Sequence, residues 1–78
     1  MAKQIKEQVY CLIAEVLGVN VGIIHDELAV GDIAEWDSLG HMQIIAGLET
    51  QMGITLDIEE TLEIEDVEDI LDAVKNHL

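Results

Sequence analysis

The sequence has little of what secreted and membrane proteins use. It contains one cysteine, Cys11, so it cannot form an internal disulfide, whereas small secreted domains usually need several. No apolar run approaches the length of about 20 residues that a membrane span requires. Residues 1–7 lack the continuous apolar segment of a signal peptide. These absences predict a cytoplasmic protein that does not enter a membrane.

Basic residues are also scarce. The chain has 3 Lys and Arg against 17 Asp and Glu, which gives a net charge of −14. This balance excludes nucleic acid as a partner, because phosphate contacts need cations and the field repels polyanions. It favours partners with basic patches, whose association such a field speeds by about 10- to 1000-fold. A solvated surface is the simpler explanation of the acidity.

Proline and phenylalanine are absent, and one Trp and one Tyr are the only aromatic residues, so aliphatic packing must form the core. Half of the residues are apolar, which argues against disorder. A chain of 78 residues allows one small domain over 1–78. A domain of this size has no large core in which to enclose an active site.

Apolar residues recur at helical spacing in three segments and no strand pattern persists, which predicts an all-α fold. Longer helices are predicted at 3–17, 38–52 and 67–77, with a short one at 59–63. Gly18 and Gly53 follow the first two as left-handed stops, and Asp66 precedes the last as an N-cap.

The segment 18–37 is a long acidic loop, and loops of this length tend to be functional. Its apolar residues are too many for a free loop, so we expect them to lie over the core, where a short helical turn can form. They are Val21, Ile23, Ile24, Leu28, Val30 and Ile33.

Ser38 stands where the loop ends and the second long helix begins. Asp37 or Ser38 can cap that helix, and an N-cap worth about 1 kcal/mol explains a serine there by itself. A second explanation is chemical. A phosphate esterified to a serine at a helix N-terminus is stabilised by free N–H groups and by the helix dipole.

The helix at 38–52 has two apolar stripes. The first forms an ordinary core face and consists of Ile44, Ile45, Leu48 and Met52. The second lies on another flank and consists of Leu39, Met42 and Ala46. The second stripe indicates either a wider core contact or a surface for a partner or cargo.

Several segments agree in order and spacing with one known family. They are the first helix, the acidic loop, Trp36-Asp37-Ser38-Leu39-Gly40-His41, Ala46-Gly47-Leu48-Glu49, Met52-Gly53-Ile54 and Glu65-Asp66-Val67-Glu68-Asp69-Ile70. On these residues the chain resembles an acyl carrier protein over essentially its whole length. Each segment is weak alone, whereas the combination is specific.

The resemblance implies a four-helix bundle of the acyl carrier type, with a long loop after the first helix and a short third helix. It implies that Ser38 carries a 4'-phosphopantetheine arm for acyl groups of fatty-acid, polyketide or related biosynthesis. Asp37 and Leu39 would complete the motif read by a phosphopantetheinyl transferase. Partner recognition would lie on the second helix, at Leu39, Met42, Gln43, Ala46 and Glu49. Such a carrier is not an enzyme and serves acyl-transferring and acyl-modifying enzymes that bear basic patches.

Two departures from fatty-acid carriers favour a specialised pathway. Gly40 stands where those carriers commonly have an acid, and Trp36 stands before Asp37, where they often lack an aromatic residue. Trp36 is either a cover on the loop or a contact for the transferase.

Two alternatives to an acyl carrier remain open. One is an acidic adaptor that binds a basic partner without modification, and the other is an aminoacyl or peptidyl carrier. The three histidines and Cys11 lack metal-ligand spacing, so we expect no metal site. Nothing indicates oligomerisation, so we expect a monomer.

Overall fold

The chain folds into helices joined by one long loop and two short links. The computed structural model describes residues 4–77 and contains α1 (Ile5–Leu17), α2 (Ser38–Met52), α3 (Ile58–Glu63) and α4 (Val67–Asn76), with a 3₁₀ turn at Val21–Ile23. Within 4–77 there is no β-strand, and one isolated β-bridge joins Ala29 to Asp66. The predicted all-α class, long loop and short third helix are confirmed.

The ends of the helices follow the predicted signals closely. Gly18 and Gly53 end α1 and α2 in the left-handed conformation, with φ of 70° and 68°. The Asp66 side chain caps α4 by accepting from the Asp69 N–H at 2.8 Å. The start predicted for the first helix, Lys3, lies outside the described residues. Helix α4 ends one residue earlier than predicted, because His77 is its C-cap.

Helix α3 starts one residue before its predicted position because of a reciprocal cap. The Asp57 carboxylate accepts from the Glu60 N–H at 2.8 Å, and the Glu60 carboxylate accepts from the Asp57 N–H at 3.3 Å. This capping box satisfies two N–H groups that the start of a helix leaves free. The two acids therefore stabilise a helix of 6 residues that has no buried side chain.

The core lies between α1, α2 and α4, and Trp36 of the loop completes it. The side chains with no exposed surface are Val9, Ile13, Trp36, Ile44, Leu48, Val67, Ile70 and Val74. The short links on either side of α3 contribute Ile54, Leu56 and Ile64, which are also buried. Because Trp36 immediately precedes Asp37 and Ser38, the core reaches the residues that begin α2.

The prediction for the apolar residues of the loop is correct only in part. Ile24 and Leu28 are buried and Ile33 is half-buried, whereas Val21, Ile23 and Val30 are between 42% and 45% exposed. The loop does not need all of these contacts, because its backbone is bound directly to the region where α4 begins. The Val30 N–H donates to the Glu65 carbonyl and the Val67 N–H to the Leu28 carbonyl, each at 2.9 Å. Cys11, the one cysteine of the chain, is exposed on α1.

Asp26 joins the loop to two helices. Its carboxylate accepts from the Tyr10 hydroxyl and from Lys6 Nζ, the latter at 3.2 Å, and both residues belong to α1. Its backbone carbonyl accepts from the Glu68 N–H of α4 at 3.0 Å. The hydrogen bonds from Tyr10 and Lys6 lower the pKa of the Asp26 carboxyl. Burial and the bond to Asp26 raise the pKa of Tyr10 from 10.0 to about 12.

We predict that the stability contributed by the hydrogen bond from Tyr10 to Asp26 is lost in alkali, over the pH range in which the phenol ionises. Tyr10 holds its proton more tightly in the folded than in the unfolded chain, so its contribution to stability is complete below pH 10 and is lost as pH rises through about 12. Tyr10→Phe should therefore be less stable than wild type at neutral pH, and the difference should shrink across that window. Urea unfolding followed by circular dichroism at several pH values measures this. A constant difference between the two proteins up to pH 12 would contradict it.

Candidate functional site

Ser38 is the first residue of α2 and is exposed to solvent. It is also the only serine in the chain. The helix is capped by Asp37, whose Oδ1 accepts from the Gly40 N–H at 2.8 Å. Asp37, and not Ser38, is therefore the N-cap, and capping does not explain the serine. The position leaves the Ser38 hydroxyl available for modification.

The turn that presents Ser38 is held by its own hydrogen bonds. The Gly31 N–H donates to the Trp36 carbonyl at 2.8 Å and the Trp36 N–H to the Ile33 carbonyl at 3.1 Å. The Asp32 carboxylate accepts from the Ala29 N–H at 2.9 Å. Gly31 has φ of 89°, which a residue with a Cβ adopts only with strain. The backbone leading to Ser38 thus has a defined path.

Trp36 anchors this turn and is a cover over the core, since none of its surface is exposed. The alternative prediction, that the Trp36 side chain contacts the transferase, is therefore wrong. The Trp36 Nε1–H donates to His41 Nδ1 at 3.1 Å, and the planes of the two rings are 15° from parallel. Because Nδ1 accepts, the neutral imidazole carries its proton on Nε2, which lies 3.2 Å from the Thr61 carbonyl oxygen. Two consecutive hydrogen bonds, from Trp36 to His41 and from His41 to Thr61, thus link the turn that precedes Ser38 to α3.

Gly40 is buried in the first turn of α2, beside the loop backbone at Glu35. A Cβ at this position would overlap the carbonyl oxygen of Glu35 and would lie 3.0 Å from Leu17 Cδ2. The obstacle is backbone, which cannot rotate away as a side chain can. Fatty-acid carriers have an acidic residue where this chain has Gly40. The structure gives a steric reason for the glycine, because no side chain fits at this position. No sequence pattern reveals that reason.

A groove between α2 and α3 begins beside Ser38. Its first compartment has a volume of about 340 Å³ and is lined by Val30, Ser38, His41, Met42, Thr61, Leu62, Ile64 and Glu65. A second compartment of about 460 Å³ lies further along α2 and is lined by His41, Met42, Ile45, Ala46, Glu49, Thr61 and Leu62. Most of the lining is apolar, and Ser38 is its one serine, so the groove suits an apolar ligand beside Ser38.

The second apolar stripe of α2 is exposed, so a wider core contact is wrong as its explanation. Leu39 is 65% and Met42 69% exposed, and Ala46 is also exposed. Two further residues were expected at the partner surface. Gln43 is exposed. Glu49 is half-buried, and its carboxylate accepts a hydrogen bond from the Leu56 N–H at 3.1 Å.

Helix α3 adds two large apolar residues that the sequence reading missed. Ile58 is 77% and Leu62 76% exposed. Their spacing of four residues, on a helix too short to show a periodic pattern, was the only signal available.

Among residues 4–77, no three His, Cys, Asp or Glu side chains are grouped so that they could hold a metal ion. In the same part of the chain, no helix is long and apolar enough to cross a bilayer.

Comparison with known proteins shows which family the chain is similar to. The family described as "Phosphopantetheine attachment site" matches residues 7–74. The D-alanyl carrier protein of Bacillus pumilus (strain SAFR-032) is 39% identical over 57 residues, which are 73% of this chain and 73% of that protein. The solution structure of a holo acyl carrier protein from Geobacter metallireducens superimposes with a TM-score of 0.83 at 26% identity, covering 92% of this chain and 83% of that one.

We predict that the close approach at Gly40 makes this glycine necessary for stability. Gly40→Ala should lower the free energy of unfolding by about 1–3 kcal/mol, as overpacking against a fixed group does. Gly47→Ala is the matched control, because its Cβ meets only side-chain methyl groups of Leu12 and Val16 at 3.3 Å. This control should remain within about 1 kcal/mol of wild type, since alanine also gains helix propensity. Equal effects of the two substitutions in urea unfolding would contradict the steric account.

Proposed function

The chain belongs to the phosphopantetheine-attachment family of carrier proteins, and we propose that its arm is joined to Ser38. It is thus a carrier and not itself an enzyme, and its cofactor is 4'-phosphopantetheine, which supplies a terminal thiol that holds cargo as a thioester. The observation that supports Ser38 is its exposure at the start of α2 while Asp37 forms the cap. No other serine competes for the role.

The residues around Ser38 fit a phosphate ester. The first turn of α2 offers backbone N–H groups and the positive end of the helix dipole, and the Asp37 cap engages the N–H of Gly40. Leu39, which is 65% exposed, stands next to the hydroxyl as a contact for the transferase. In the transfer, the Ser38 Oγ–phosphorus bond forms as the pyrophosphate bond of coenzyme A breaks. Adenosine 3',5'-bisphosphate leaves, and the hydroxyl proton passes to a base of the transferase.

We propose that the cargo is an acyl intermediate of fatty-acid, polyketide or related specialised biosynthesis, handled in the cytoplasm by residues 1–78 acting as one domain. A specialised pathway is favoured over bulk fatty-acid synthesis, because α2 has Glu49 as its single acidic residue. A recognition helix with so little charge depends on apolar contacts more than on charge pairs.

An aminoacyl cargo is the second candidate, and two observations favour it. The D-alanyl carrier protein of Bacillus pumilus is among the relatives of this chain. In addition, Glu65 is the one carboxylate lining the compartment beside Ser38, where it would attract an ammonium group. The mass of the arm-bearing protein isolated from its own cells separates the two candidates.

We propose that partner enzymes dock on the exposed apolar face of α2, at Leu39, Met42, Gln43 and Ala46, with Glu49 at its edge. The charge of −14 supports steering of partners that bear basic patches towards the chain as a whole, and the apolar contacts of this face would then fix where they dock. Leu39 directly follows Ser38, and Met42 lies about one helical turn after Ser38. A docked enzyme would therefore face the attachment residue.

We predict that a broad-specificity phosphopantetheinyl transferase with coenzyme A adds one phosphopantetheine to the wild type and none to Ser38→Ala. The substitution should keep the fold, changing the free energy of unfolding by no more than about 1 kcal/mol. Intact-protein mass measures the addition. Thr55→Ala is the matched control, since it removes another exposed hydroxyl and should be loaded normally. Loading of Ser38→Ala would contradict the assignment of the arm to Ser38. The alternative of an adaptor that works unmodified needs neither the serine nor the arm.

We predict that Met42→Glu weakens docking although Ser38 remains intact. A charge in the centre of an apolar contact should reduce kcat/KM of a partner enzyme for the loaded carrier by roughly 10- to 30-fold, as for an interface hot spot. Gln51→Glu is the matched control, because it adds the same charge to α2 at an exposed position beside α1. If both substitutions reduce kcat/KM equally, net charge and not this face determines recognition.

A further inference from the structure

We propose that His41 is a positioning residue for the modification of Ser38, acting through the hydrogen bond that it accepts from Trp36. This bond would hold the first turn of α2 in the conformation that a phosphopantetheinyl transferase binds. His41 itself takes no part in bond making. The inference rests on the proposed attachment at Ser38 and adds a residue that determines how well that site is recognised.

Ser38 lies in a part of α2 that needs such support. The first turn of a helix has N–H groups without partners inside the helix, and helix ends open more readily than the core of a fold. Ser38 is the first residue of α2, and both Ser38 and Leu39 are exposed, so burial does not hold them in place. Contacts made by their neighbours must therefore keep this turn closed.

Three hydrogen bonds close around Ser38 from its two sides. The His41 N–H donates to the Asp37 carbonyl at 2.8 Å, which is the first backbone bond of the helix. The Asp37 carboxylate accepts from the Gly40 N–H, also at 2.8 Å. The third bond joins two side chains, because the Trp36 indole N–H donates to His41 Nδ1 at 3.1 Å. Of the three, this bond alone is anchored in the core, since Trp36 has no exposed surface.

The bond between Trp36 and His41 opposes opening of the turn. Opening would move His41 away while the indole stays in the core, and a buried N–H without an acceptor is unfavourable. A partner that binds only the closed turn gains apparent affinity in proportion to the closed fraction. His41 should therefore lower the KM of the transferase for the carrier. It should leave kcat unchanged, because a carrier that is already bound has its turn closed.

Two substitutions at position 41 separate the two hydrogen bonds of the imidazole. His41→Asn places an amide oxygen near the position of Nδ1, where it can accept from Trp36, but it is too short to reach the Thr61 carbonyl. His41→Gln places its amide near the position of Nε2, where it can donate to Thr61, but it leaves the indole N–H without an acceptor. Asparagine has a helix propensity similar to that of histidine and glutamine a better one, so propensity cannot explain a loss in the Gln variant.

Steady-state transfer from coenzyme A by a broad-specificity phosphopantetheinyl transferase, followed by intact-protein mass, gives KM and kcat for the carrier. His41→Gln should raise KM about fivefold at unchanged kcat, the factor that corresponds to one net hydrogen bond. His41→Asn should keep the KM of the wild type. His77→Ala is the matched control and should change neither constant, because it removes a histidine contact with Glu60 of α3 that does not involve the turn. Equal KM values for the Asn and Gln variants, or a lower kcat in His41→Gln, would overturn the proposal.

The substitution Trp36→Phe tests whether His41 acts through the indole. It keeps an aromatic ring in the core and removes the donor, so adding His41→Gln to it should cause no further rise in KM. A further rise as large as the one that His41→Gln causes in the wild-type background would overturn the proposal.

The unmodified protein supplies a readout that does not depend on loading. Trp36 is the one tryptophan, so its indole N–H gives a single NMR signal whose exchange with solvent measures opening of the turn. Exchange should be about fivefold faster in His41→Gln than in the wild type and in His41→Asn. Equal exchange rates would overturn the proposal, even if Trp36→Phe does not fold. Failure of the wild type to load would instead contradict the attachment at Ser38, so the two failures are distinguishable.

Discussion

The burial of Trp36 is the constraint on which the rest of this site depends. The indole has no exposed surface, and it belongs to the turn that leads directly into Asp37 and Ser38. Its burial brings the preceding carbonyl, that of Glu35, so close to α2 that only glycine is accommodated at position 40. The buried indole N–H requires an acceptor, and His41 Nδ1 provides it. The neutral imidazole therefore carries its proton on Nε2, which bonds to the Thr61 carbonyl of α3. One aromatic side chain in the core thus helps to determine the backbone path, the His41 tautomer and one contact across the groove beside Ser38.

The roles of neighbouring residues are divided in a way that suits a carrier. Asp37 caps the helix, which leaves Ser38 exposed and its hydroxyl available for the modification proposed above. The apolar residues Leu39 and Met42 remain on the surface, at a cost in solubility that the charge of −14 offsets. A chain of this size cannot enclose an active site, so its function depends on presenting one residue accurately.

Much of the fold could be predicted from the sequence because its signals are local. Apolar periodicity gave α1, α2 and α4, and the glycines and acids at their ends gave most of the boundaries. The prediction of buried loop residues failed at Val21, Ile23 and Val30, because backbone hydrogen bonds to the start of α4 hold the loop without their burial. The clash at Gly40 and the bond from His41 to Thr61 join residues that are distant in sequence or depend on backbone geometry, so no pattern could reveal them. Ser38 could be proposed as the attachment residue because its neighbours match a family, and the structure removes the competing explanation that it caps the helix.

The central claim is that the arm is carried at the start of α2, beside the groove to α3. Comparison of the amide NMR spectra of unmodified and phosphopantetheine-loaded protein tests this most directly. The account predicts that the largest shifts occur at Ser38 and in the first turn of α2, followed by the groove residues Thr61 and Leu62, while α1 is unchanged. Largest shifts around another hydroxyl, at Thr50 or Thr55, would contradict it.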